Sequence, residues 1–326
     1  MTALEKLRNA GELLEKYGID DAEREAEIII SHCLGIDRLY LHRDNPEIPG
    51  DILIKMDEFL KRRADREPLQ YIIGYTEFYG LKIMVGPGVL VPRPETELLV
   101  EEAIKIVSRQ TLNPPLPPFT KEGEEGITQS QINLTCSLRI LDLCTGTGCI
   151  ALALASEFPG AEVFGTDISG TAIKYAQENA RLNDIVNTIF LEGTLFDPVK
   201  KLFAVRGKRF AAALIIANPP YIKTDDIRNL QPEIKDWEPT QALDGGQDGL
   251  DYYRQIIPEA KNYLKEHGYL ILEIGIHQAK EIKKLALDAG FQNVSIVKDF
   301  AGIERIFFAK KDKRTHPCTP LKRGLK

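Results

Sequence analysis

A chain of 326 residues with 43% hydrophobic and 28% charged residues has the make-up of a soluble globular protein large enough for two domains. Its formal net charge of −6 gives no electrostatic reason to expect stable nucleic-acid binding. No apolar run approaches the roughly 18 residues of a membrane span, and five cysteines without a CxxC pair point to neither a disulfide framework nor a metal site. A charged, amphipathic N-terminus is not a signal peptide, so a cytoplasmic location is expected.

Residues 1–67 read as a helical bundle. Thr2 and Glu5 form a capping box, and Leu4, Leu7, Leu13 and Leu14 recur at helical spacing before Gly18. Asp20 with Glu23 opens a second helix that turns Ala26, Ile29, Ile30 and Cys33 inward and stops at Gly35. A third spans about 51–66, with Ile52, Met56, Phe59 and Leu60 on one face and Lys61-Arg62-Arg63 as a solvated charge run. Residues 68–95 read as a hairpin linker punctuated by Gly74, Gly80, Gly86 and Gly88. In Pro92-Arg93-Pro94-Glu95-Thr96-Glu97 the prolines suit a fixed Arg93–Glu95 charge pair. That pair is either a surface cap of the next helix or a wall of an active-site mouth. Residues 112–136 are proline-rich, then charged and glycine-bearing, and read as a disordered insert. The basic residues 311–326 read as a disordered tail.

Between them, residues 96–310 form the larger domain. From Arg139 onward, strands near 139–144, 162–166, 188–192, 211–217, 268–274, 292–299 and 304–310 alternate with helices near 149–158, 170–182, 251–266 and 277–289. Such alternation predicts an α/β fold with a largely parallel sheet covered on both faces. The first strand runs into Cys144-Thr145-Gly146-Thr147-Gly148, where glycines let backbone approach a ligand and the helix N-terminus offers free N–H groups. The second ends at Asp167, close to the spacing at which an acid commonly takes ribose hydroxyls. This is a nucleoside-binding unit, and Gly146-x-Gly148-x-x-Ala151 by itself leaves NAD open. The apolar run before Asn218 ends in Asn218-Pro219-Pro220-Tyr221. The Asn218 and Pro219 carbonyls can together accept both hydrogens of a planar –NH2 group, with Tyr221 against its flat face. That holds a poor nucleophile still and returns electron density to nitrogen.

The ordered set resembles the class I S-adenosylmethionine methyltransferases that act on planar –NH2 groups. Pro68–Gly74 (PLQYIIG), Leu90–Glu97 (LVPRPETE), the DLCTGTG loop, NPPY and Ala242–Tyr252 (ALDGGQDGLDY) narrow the resemblance to the release-factor glutamine methyltransferases, the PrmC/HemK family. Cys144 stands where that family more often has glycine. The resemblance implies a Rossmann-like class I methyltransferase domain with a seven-stranded, mostly parallel sheet whose seventh strand is antiparallel. It also implies that the N-terminal bundle grips the protein substrate. S-adenosylmethionine would be held by Asp142 at its ammonium, Cys144, Thr145, Gly146, Thr147 and Gly148 at its methionine part, Asp167 at the ribose and Phe196 at the adenine. Asn218, Pro219, Pro220 and Tyr221 would take the acceptor amide. The implied substrate is the Gly-Gly-Gln glutamine of class I peptide-chain release factors, met by a monomer. A ribosomal-protein glutamine methyltransferase and a nucleic-acid adenine methyltransferase are the alternatives.

Overall fold

The computed structural model describes residues 1–112 and 138–312. Residues 113–136 of the expected insert and 313–326 of the expected tail lie outside the described residues.

Five helices open the chain: α1 (Ala3–Lys16), α2 (Ala22–Leu34), α3 (Arg38–Asp44), α4 (Gly50–Ala64) and α5 (Leu69–Ile73). The capping box of α1 forms as expected: Thr2 Oγ1 accepts from Glu5 N–H, and the Glu5 carboxylate accepts from Thr2 N–H at 2.9 Å. At α2 the expected Asp20 cap is replaced by Asp21, which makes no side-chain cap bond because its backbone (φ −104°, ψ 43°) is not extended. Gly35 closes α2 at φ 65°. The sequence hid α3 because only Leu41 of its seven residues is buried. Leu7, Leu14, Ile29, Ile30, Leu41, Met56 and Leu60 make a core of their own, distinct from the two that flank the large sheet.

The Lys61–Arg63 run is not a solvated face. Lys61 is exposed, but Arg62 pairs with Glu67, and buried Arg63 pairs with Glu25 of α2 and with Glu233, 170 residues on. A buried guanidinium must be paired, and these partners come from helix packing that spacing alone does not reveal.

Next comes an antiparallel hairpin, β1 (Tyr75–Phe78) and β2 (Leu81–Met84). Its two-residue turn, Tyr79-Gly80, has φ of 49° and 74°, the primed geometry that matches strand twist. The Asn179 side chain binds both the N–H and the carbonyl of Met84, which docks the hairpin on the larger α/β unit.

That unit is built from α6 (Glu97–Leu112), β3 (Arg139–Leu143), α7 (Cys149–Glu157), β4 (Glu162–Asp167), α8 (Gly170–Leu182), β5 (Thr188–Glu192), α9 (Asp197–Val205) and β6 (Ala212–Ala217). It continues through the short α10 (Pro232–Lys235), α11 (Asp251–Tyr263), β7 (Leu264–Glu273), α12 (Ala279–Asp288), β8 (Asn293–Lys298) and β9 (Glu304–Lys310). The sheet order is β5-β4-β3-β6-β7-β9-β8, all parallel except β9, which runs antiparallel to both neighbours. Helices α6, α7 and α8 cover one face, and α9, α11 and α12 the other. Helix α7 is buried from Cys149 to Ala155, and only its last two residues, Ser156 and Glu157, are exposed. The chain order reverses across β3, so ligands are expected at the carboxyl ends of β3, β4 and β6.

Candidate active site

Strand register brings the sequence motifs to one edge. Leu143 of β3 is opposite Thr166 of β4 and Ala217 of β6, so Cys144, Asp167 and Asn218 emerge side by side. They line a cleft together with Thr145, Gly146, Thr147 and Pro220. The rest of the lining comes from Val89, Leu90, Arg93 and Thr96 after the hairpin, and from Pro239, Gln241 and Ala242 after NPPY.

The glycine loop is built for close approach. Gly146 has φ 54°, and a Cβ there would meet open space. Gly148 caps α7 at φ 81°, and a Cβ would stand 2.9 Å from Ala176 Cβ. Asp167 ties the loop to β4: its Oδ2 accepts from Gly146 N–H and its Oδ1 from Ser169 N–H, both at 2.9 Å. Burial raises the Asp167 pKa and the backbone N–H groups oppose it. Burial also lifts the Cys144 thiol, and pushes Cys149 up to about 12. Both thiols stay protonated at neutral pH, as packing residues rather than nucleophiles.

Six expected contacts are placed differently, among them Gly148 and Pro219, which do not line the cleft. Asp142 is fully buried behind the loop: Thr145 Oγ1 donates to its Oδ2 at 2.5 Å, while Oδ1 has no hydrogen-bond partner. Its pKa is pushed up to about 7, chiefly by burial. Phe196 is buried away from the cleft and stacks on Tyr263 at 4.6 Å. Thr194, Leu195 and half-exposed Ile168 form the wall where Phe196 was expected. Arg93 Nη2 donates to both carboxylate oxygens of buried Glu238, at 2.7 and 2.8 Å, instead of pairing with exposed Glu95. It does line the cleft. The Tyr221 ring is not on the cleft wall; its hydroxyl donates to Glu273 Oε1 at 3.4 Å.

The GGQDGLD stretch backs the NPPY turn. Ile222 N–H donates to Leu243 O at 3.0 Å, and Gly245 N–H to Ile222 O at 2.8 Å. A Cβ on Gly245 would lie 2.8 Å from Tyr221 Cα, and one on Gly249 2.4 Å from Tyr221 O. Gln278 Nε2 clasps the carbonyls of Tyr221 and Gly249 at 2.9 and 3.1 Å. Two glycines are therefore required by proximity, not only by turn shape.

Thr96, Glu273 and Gln278 are site residues that the motif reading passed over. Asn218 Nδ2 donates to Thr96 Oγ1 at 3.2 Å, and Thr96 Oγ1 donates to Glu273 Oε2 at 2.8 Å. Glu273 is 3% exposed, and burial pushes its pKa up to about 7 against the Thr96 and Tyr221 hydroxyls and the charge of Arg305. The available signal was an acid inside the apolar run Tyr269–Ile274, which a core tolerates only with partners.

Among known families, a model described as the PrmC N-terminal domain matches residues 5–74, and one described as a methyltransferase domain matches residues 134–303. The release factor glutamine methyltransferase of Thermodesulfovibrio yellowstonii is 46% identical over 314 residues, covering 96% of this chain and 99% of that one. That of Geobacter sulfurreducens is 40% identical, covering 91% and 92%. The crystal structure of a release factor-specific protein-(glutamine-N5) methyltransferase from Alicyclobacillus acidocaldarius aligns with 71% of this chain and all of that one, at 28% identity and a TM-score of 0.39. With identity at this level running through both the N-terminal helices and the α/β unit, the chain belongs to the release factor glutamine methyltransferase family.

Proposed function

We propose that this protein transfers a methyl group from S-adenosylmethionine to the side-chain amide nitrogen of the Gly-Gly-Gln glutamine in class I peptide-chain release factors. The observation that carries the reading is Asn218. Its amide nitrogen is engaged by Thr96, which leaves its carbonyl oxygen for the cleft, on the edge it shares with Asp167 and the glycine loop. A carbonyl oxygen accepts from an –NH2 group and recruits it as no apolar wall can.

The site fits the cofactor on its own geometry. Gly146 faces open space, Asp167 keeps acceptor capacity beyond its two backbone bonds, and buried Asp142 Oδ1 has no partner. When bound, the cofactor supplies an already activated sulfonium methyl. Alignment is then the protein's main task. Asn218 Oδ1 and the Pro219 carbonyl accept the two amide hydrogens of the glutamine. Pro220 walls the slot, and Tyr221 holds the turn through Glu273 and Gln278. No general base is required, because the amide nitrogen becomes strongly acidic on methylation. In this reading, residues 1–67 bind the release factor, 68–95 link, and 96–310 carry the chemistry.

Two substitutions separate the roles. Asn218→Ala lowers methyl transfer by about 10²–10³-fold, comparable to losing one oxyanion-hole donor, and leaves cofactor affinity within a few-fold. Asp167→Ala weakens cofactor binding about tenfold or more, since hydrogen bonds to a charged acceptor contribute roughly 1.5–3 kcal/mol each. Calorimetry with the cofactor, together with labelled-methyl counting, reads both. Full transfer by Asn218→Ala, or unchanged cofactor affinity in Asp167→Ala, removes that residue from its role.

A further inference from the structure

The Pro92–Glu97 stretch has so far no chemical task, yet it places one side chain at the heart of the site. Thr96 ends a short 3-10 turn (Pro94–Thr96), is 2% exposed, and lies between Asn218 and Glu273. The three residues come from three separate places: the start of α6, the end of β6 and the end of β7.

A hydroxyl has one proton. With Glu273 ionised, the carboxylate can only accept, so Thr96 places that proton on Glu273 Oε2 at 2.8 Å and its oxygen accepts from Asn218. It therefore selects one of the two faces of the Asn218 amide. The nitrogen must turn to Thr96, at 3.2 Å, and the oxygen to the cleft. Reversed, the amide would present N–H to an incoming –NH2 group, donor against donor. The opposite side of Glu273 is occupied by the Tyr221 hydroxyl, so one carboxylate holds both ends of the Asn218–Tyr221 turn.

From this arrangement we infer that Thr96 and Glu273 are positioning residues for methyl transfer, fixing the sense in which the Asn218 amide faces the acceptor nitrogen. The inference rests on the reading that Asn218 takes the acceptor amide. Neither residue touches substrate in this account; both act through Asn218.

The test compares Thr96→Val, which keeps the shape and loses the hydroxyl, with Thr96→Ser, which keeps the hydroxyl and loses a methyl. Each is assayed for kcat, KM for a class I release factor and cofactor Kd, using tritiated-methyl S-adenosylmethionine. Thr96→Val lowers kcat about tenfold, the equivalent of one buried hydrogen bond, with cofactor Kd and KM within about threefold of wild type. Thr96→Ser stays within about twofold of wild type in all three. Thr96→Ala, also without the hydroxyl, is made alongside, so that a folding defect in one variant leaves the other to decide. In an Asn218→Ala background, Thr96→Val costs nothing further, because it acts only through Asn218. Wild-type kcat in Thr96→Val, equal losses in Thr96→Val and Thr96→Ser, or an additive loss in the double variant overturns the inference. If Asn218→Ala alone transfers methyl at the wild-type rate, it is the role of Asn218 that falls. If Asn218→Ala fails while Thr96→Val does not, only the present inference falls.

Discussion

Two carboxyl groups, Asp142 and Glu273, are buried under the cleft, and burial pushes both up to about 7. Their surroundings differ. Asp142 has the Thr145 hydroxyl on one oxygen, while the other makes no hydrogen bond, and the Ala151 N–H lies near enough to the carboxyl to lower its pKa. Glu273 has hydroxyls on both, with Arg305 on β9, Glu95 before α6, Tyr253 on α11 and Cys149 on α7 as the other ionisable groups that act on it. A folded-state pKa above the unfolded value means stability that is fully present below the unfolded pKa and is lost as pH rises through the folded one. For these groups the window runs from about 4 to about 7. Between pH 5 and pH 7 the melting temperature therefore falls, and it falls less in Glu273→Gln, whose amide stays neutral. Scanning calorimetry across that range reads it, and an unchanged slope in Glu273→Gln would mean Glu273 is not the group responsible. At this scale, Asn218, Asp167 and the glycine loop were legible because each is a polar or flexible residue at the end of an apolar run. Phe196 misled because an aromatic beside a strand end fits a ligand wall and a core equally well. Here α9 begins at Asp197 and turns the ring inward onto Tyr263.

At the scale of elements, the seven strands of the large sheet were readable because central strands buried on both faces appear as continuous apolar runs. Helix α9 was missed, and the first part of β7 was read as helix: its Lys265-Glu266-His267 is polar, and His267 has φ 62°. The charge run on α4 shows how local reading fails. Arg63 looks like its neighbour Lys61 in sequence, but packing against α2 and α10 buries it between Glu25 and Glu233. Removing one member of a buried ion cluster strands the others, at a cost of about 3 kcal/mol. Arg63→Ala should therefore lower the melting temperature by roughly 6–12 °C at about 2–4 °C per kcal/mol. Lys61→Ala, on the exposed side of the same helix, stays within about 0.5 kcal/mol of wild type. Equal melting temperatures for the two variants in a thermal scan would show that the Arg63 cluster contributes nothing net.

Across the whole molecule, charged pairs join the N-terminal helical region and the stretch after the hairpin to the segment that follows NPPY. Arg63 and Arg66 both reach Glu233, and Arg93 reaches Glu238, just before the Pro239–Ala242 part of the cleft wall. None of this was legible locally, because the partners lie 145 to 170 residues apart. Under the proposed reading, in which the N-terminal helices bind the release factor, these pairs tie the helices to the segment that carries part of the cleft wall. The central claim is that the acceptor is a side-chain amide held by Asn218. The direct measurement offers the wild-type protein and labelled-methyl cofactor a class I release factor carrying Gly-Gly-Gln, the same factor carrying Gly-Gly-Glu, ribosomes, and DNA, each separately. The account predicts label on the Gly-Gly-Gln factor alone, since a carboxylate has no –NH2 for the slot and is repelled by the Asn218 and Pro219 oxygens. Equal labelling of the Gly-Gly-Glu factor, or label on ribosomes or DNA in its place, would contradict it.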